Sequence, residues 1–126
     1  MRTIAWAMTA EAASLAAAAT LHLTRALDSG SKPSDLDPAG VAEAVICVVL
    51  LAGAGALFRD PEQGRTAALG AVGFAIFGFI VGLTFTITGG PAVDLAYHAV
   101  MLPILIATAV QLRPRHPGGE VSPGMH

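Results

Sequence analysis

Four long stretches of the chain are apolar almost without a break, about Thr3 to Leu27, Pro38 to Phe58, Thr66 to Thr88 and Pro91 to Leu112, and short polar segments separate them. Each is near the roughly 20 residues that an α-helix needs to cross hydrocarbon. The separators carry helix punctuation. Asp37-Pro38 offers an N-cap followed by proline at the first helical position, and Asp60-Pro61-Glu62 repeats the device with an acid in the first turn. Gly89-Gly90-Pro91 stops one helix and starts the next. Short links imply antiparallel neighbours. The pattern therefore predicts an all-α, integral membrane, up-down-up-down four-helix bundle over residues 1–112. A tail rich in Pro and Gly follows over 113–126, expected to be disordered and to leave His116 and His126 in solvent.

The first stretch differs from the others. Its MTAEAASLAAAAT run is Ala-rich and carries Glu11, so it would insert poorly alone. Arg2, the Ala-rich run and the small residues near Ala12 and Ala13 partly fit a cleaved signal peptide, but the apolar character resumes as far as Leu27. The reading adopted is a retained helix in the bundle interior, where small residues let backbones approach closely. Gly78-x-x-x-Gly82 in the third stretch marks a helix contact in the same way.

Composition supports the membrane reading: 54% of the 126 residues are hydrophobic and only 13% charged. The net charge of -2 leaves no basic surface for nucleic acid, which demands clustered Lys and Arg. The expected partner is the lipid bilayer, together with other membrane subunits or a second copy of the chain. Cys47 is the single cysteine, and its apolar setting suits a small buried hydrophobe. Arg2, Arg59, Arg65, Arg113 and Arg115 fall on one side of the threaded helices, against Arg25 and Lys32 on the other. By the bias of cytoplasmic loops toward Lys and Arg, both termini are expected in the cytoplasm and the protein in the cell membrane. Trp6 suits an interfacial anchor.

Against this apolar background stand His22, Glu43, Asp94 and His98, ionisable groups whose presence inside a bilayer needs a reason. In the predicted topology all four lie within about 12 Å of the outer boundary, on three different helices. Asp94 and His98 are four apart and share a helix face, as do Glu43 and Cys47. Glu11 precedes His22 by about three turns, at nearly the same azimuth, so this stripe should face the interior. Tyr97 adds a phenol, and Thr84, Thr86 and Thr88 bring hydroxyls to the outer end of the third helix. The bland readings remain open. Asp94 favours a helix N-terminus through the dipole alone, Glu43 with His22 can be a packing hydrogen bond, and Glu11 is either protonated or part of a polar track.

Such a cluster admits several ligands. Two histidines on facing helices could hold a haem iron. His22 and His98 with the acids could instead bind a divalent metal. An imidazole and the Tyr97 phenol beside an apolar slot suit a quinone or a polar lipid head, and intramembrane acids can relay protons. No spaced hydrolase motif such as HExxH is present.

The acid early in the second helix (AGVAEAVICVVLLAGAGALF), the basic, Pro-containing turn (RDPEQGRTAA) and the Gly- and Phe-rich third helix resemble the DoxX-like small membrane proteins over residues 38 to 112. Some members of that group are linked to thiosulfate:quinone oxidoreductase or to membrane oxidoreductase complexes. The resemblance implies a four-helix, redox-associated membrane subunit, with Glu43 the one residue whose role would transfer. The first helix departs from the pattern through Glu11 and His22, and DLAYH in the fourth matches no signature of the group. The leading expectation is thus a redox-associated membrane subunit whose outer-leaflet cluster of His22, Glu43, Asp94, Tyr97 and His98 binds a quinone, haem, metal or polar lipid. The alternative is a structural or assembly protein in which the same residues fix helix packing. A membrane enzyme using a metal-bound water is the third reading.

Overall fold

The computed structural model describes residues 1–26 and 37–115, and within them the protein is four α-helices and no strand. They are α1 (Arg2–Leu23), α2 (Pro38–Arg59), α3 (Gly64–Ile87) and α4 (Ala92–Leu112). All four are long and apolar enough to cross a membrane. Lys32, the expected end of the first helix at Leu27, most of the loop after it, His116 and His126 lie outside the described residues. The fold is the all-α four-helix bundle that the apolar pattern predicts.

Local chemistry sets the boundaries. The Asp37 carboxylate accepts from the Ala39 N–H at 2.9 Å, with Pro38 opening α2 where a missing N–H costs nothing. The Asp60 carboxylate accepts from the Glu62 and Gln63 N–H groups at 2.9 and 3.0 Å, and α3 begins after that turn at Gly64. At the end of α1 the chain turns at Thr24, and Arg25 takes a left-handed φ of 61°, the conformation that commonly terminates a helix.

The bundle is a ring in which α1 packs on α2, α2 on α3 and α3 on α4, while α4 closes back on α1. Buried positions recur every three or four residues. On α1 they include Ala5, Met8, Ala12, Leu15, Ala19 and His22. On α2 they include Gly40, Glu43, Cys47, Leu50, Ala54 and Leu57, and on α4 they are Asp94, His98, Met101, Leu105, Thr108 and Leu112. This spacing is that of helices each presenting one seam to its neighbours. The opposite faces are apolar too: Phe85 is 74% exposed, Phe77 67% and Trp6 64%. A helix apolar on all sides belongs in lipid, and the protein is accordingly a small multi-pass membrane protein.

Met1, the α2–α3 turn and Pro114 lie together at one end of the bundle, where Met1, Glu62 and Pro114 line one depression. The opposite end of the bundle collects the end of α1, the start of α2, the end of α3 and the start of α4. At that end the buried stripes change from apolar to polar.

Candidate functional site

His22, Glu43, Asp94 and His98 are not additions to the helix faces; they lie on the inward stripes that build the core, within the two helical turns at one end of α1, α2 and α4. Inward pointing follows from their spacing, and equal depth from the antiparallel threading. All four are buried.

His22 and Glu43 meet directly across α1 and α2, with Nδ1 2.7 Å from Oε2. The other imidazole nitrogen, Nε2, is buried without a hydrogen-bond partner, and Asp94 Oδ1 lies 4.0 Å from it. That distance is beyond hydrogen bonding. Gly40 lets α1 approach, since a Cβ there would stand 3.0 Å from the His22 Cβ and 2.8 Å from Leu23 Cγ.

Asp94 is held from two sides. The Thr86 hydroxyl, on the last turn of α3, lies 3.2 Å from Oδ2 and 2.9 Å from the Gly82 carbonyl. His98 places Nδ1 2.9 Å from the Asp94 carbonyl and 3.5 Å from Oδ1. A carbonyl oxygen only accepts, so Nδ1 carries the proton in that bond and Nε2 of the neutral ring is left with its lone pair. His98 Nε2 lies over Gly82 of α3, and Phe79 packs on the His98 ring with centroids 5.0 Å apart.

Tyr97 and Glu11 belong to a separate polar seam between α1 and α4. Ser14 Oγ donates to the Glu11 carbonyl at 2.7 Å, which leaves Tyr97 as the donor in the 3.0 Å bond between the two hydroxyls. Deeper in the bundle the Thr108 hydroxyl donates to Glu11 Oε1 at 2.6 Å, while Oε2 has no partner. Sequence reasoning left Glu11 without a neighbour and passed over Ser14 and Thr108. Thr108 carried a signal, being the one further polar residue on the inward stripe of α4.

The cluster is open on one side. A groove of about 860 Å³ runs between α2 and α3, with Val45, Phe74, Phe77, Val81 and Phe85 among its apolar walls and Glu43, Thr86, Asp94 and His98 at its polar end. His22 stands behind these acids and does not line it. Among the described residues, His22, Glu43 and Asp94 each offer one donor atom within 4.8 Å of the other two.

Each expected ligand meets this geometry differently. Two histidines facing one iron is not the arrangement found: His98 commits Nδ1 to its own helix and sets Nε2 against Gly82, whereas His22 Nε2 has Asp94 as its neighbour. His22 and His98 were the expected metal pair; among the described residues the three donor atoms that lie within 4.8 Å of one another belong to His22, Glu43 and Asp94. Comparison with known proteins found no family model, no curated relative and no solved structure that matches this chain.

Proposed function

We propose that the protein is a membrane subunit that takes the polar head of a bilayer-dissolved amphipathic molecule, of the quinone type, into the α2–α3 groove. The observation that carries this reading is the groove itself: aromatic and aliphatic walls continuous with the lipid-facing surface end on Glu43, Asp94 and His98. Such sites join a largely apolar cleft to a few placed polar groups. A ring carbonyl can accept, and a hydroquinone hydroxyl can donate, so a head that changes between the two needs partners of both kinds. A carboxyl group such as that of Glu43 or Asp94 supplies both, donating when protonated and accepting when not. Association with redox partners rests on the DoxX-like resemblance of residues 38 to 112 alone.

A second reading, a structural or assembly protein, is favoured by the internal pairing of the cluster, His22 with Glu43 and Thr86 with Asp94. Titration of decylubiquinone into the full chain in lipid nanodiscs separates the two. Ala42 is exposed and lines the groove, so Ala42→Trp narrows it while every side chain of the cluster is retained. The expected result is saturable uptake of one quinone per chain, weakened at least tenfold in Ala42→Trp at unchanged melting temperature. Uptake that rises linearly with quinone, equally in both proteins, would sink the binding reading.

A further inference from the structure

From the same end of the bundle we infer a second capacity, which shares Glu43 and Asp94 with the groove: His22, Glu43 and Asp94 form a binding site for one divalent first-row transition ion. The three residues come from α1, α2 and α4, and their donor atoms lie within 4.8 Å of one another. Mixed imidazole and carboxylate donors suit zinc, ferrous iron or manganese.

Proximity of acids alone would not carry this. His22 supplies the independent observation, because its side chain is 1% exposed and its Nε2 has no hydrogen-bond partner. A buried nitrogen left so is uncommon and costly. Its nearest ionisable neighbour is Asp94 Oδ1 at 4.0 Å, too long for a hydrogen bond and close to the separation of two donors sharing one ion. Metal–ligand bonds of about 2.0–2.2 Å set neighbouring donors roughly 3.3–3.6 Å apart, so donors that now lie within 4.8 Å of one another would close by up to about 1.5 Å.

Charge gives the second reason. Two carboxyl groups within 4.8 Å of each other among apolar helices would be strongly repulsive if both were ionised, and one divalent ion compensates both. The supporting contacts are those a metal site needs. Thr86 and His98 fix Asp94, and Gly40 sets how closely α1 approaches α2. Glu43 and Asp94 both line the groove, so coordination positions not taken by protein open toward it. The ion requires no groove ligand, and its test uses metal alone.

Chelator-stripped full chain in lipid nanodiscs is titrated with Co²⁺, read by visible absorption, and then with Zn²⁺ as competitor. The expected result is one Co²⁺ per chain, displaced by Zn²⁺, with at least a tenfold loss of affinity in His22→Ala and in the near-isosteric Asp94→Asn. Glu11→Gln, a buried acid elsewhere in the bundle, should keep the wild-type affinity. If His22→Ala fails to fold, Asp94→Asn alone decides. No stoichiometric Co²⁺ band, or a band that survives Asp94→Asn in monodisperse protein, overturns the site and leaves the quinone reading untouched.

Discussion

Gly82 and His98 are fitted to each other: a Cβ on Gly82 would stand 2.6 Å from His98 Nε2, closer than real Cβ atoms come. The absence of a side chain on α3 is what lets the imidazole of α4 lie inside the bundle beside Asp94. Gly82→Ala should therefore push His98 off its Asp94 carbonyl bond and lower stability by about 1–3 kcal/mol, the usual range for overpacking. Gly73 is the internal control, since nothing lies within 4 Å of a Cβ there. Gly73→Ala should be neutral or stabilising by up to about 1 kcal/mol. Thermal unfolding of both variants in the same detergent checks the contrast.

The His22–Glu43 contact should register as an interhelical coupling. Hydrogen bonds between membrane helices measured by double-mutant cycles average about 0.6 kcal/mol and reach about 1.7. This pair is buried and short, so His22→Ala, Glu43→Ala and the double variant are expected to give a coupling in the upper part of that range. A value of zero, with each single change costly, would mean that the two side chains act through separate neighbours.

Much of this arrangement was legible in the sequence. The stripe from Asp94 and His98 through Met101, Leu105 and Leu112 shows which face of α4 turns inward, and the same spacing carries α1 to His22 and α2 to Glu43. Antiparallel threading then fixes a common depth. The partners across the seams were not legible, because they depend on which helices are neighbours and at what rotation. Gly78-x-x-x-Gly82 illustrates the limit. Its spacing marks close approach, yet a Cβ on Gly78 would strike Ile46 of α2 while one on Gly82 would strike His98 of α4. One motif thus serves two different contacts. The Glu11–Thr108 bond joins residues 97 positions apart, and no local pattern connects them.

That bond makes its own prediction. Glu11 is 5% exposed, with Thr108 as the donor to one oxygen and no partner for the other. Thr108→Val removes the donor at nearly constant volume and should cost about 1–3 kcal/mol, the penalty for an unsatisfied buried polar group. Replacing both partners by apolar groups is far less costly than removing one. Adding Glu11→Met to Thr108→Val should then recover most of the loss in melting temperature, whereas a purely additive double variant would show that the two residues do not communicate.

Arginine placement makes a prediction about orientation. Arg2, Arg59, Arg65 and Arg113 sit at the end of the bundle where Met1, the α2–α3 turn and Pro114 meet, and the polar cluster lies at the other end. The positive-inside bias predicts that the arginine end faces the cytoplasm and the cluster the outer leaflet. Cys47 is buried, so a Cys47→Ala background gives a clean start for single reporter cysteines. Glu62 and Gly89 are exposed at opposite ends of α3. In intact cells Gly89→Cys should react with a membrane-impermeant maleimide, and Glu62→Cys only after permeabilisation. The reverse pattern would put the groove's polar end, and any ion held by His22, Glu43 and Asp94, on the cytoplasmic side, where access would be from the cell interior.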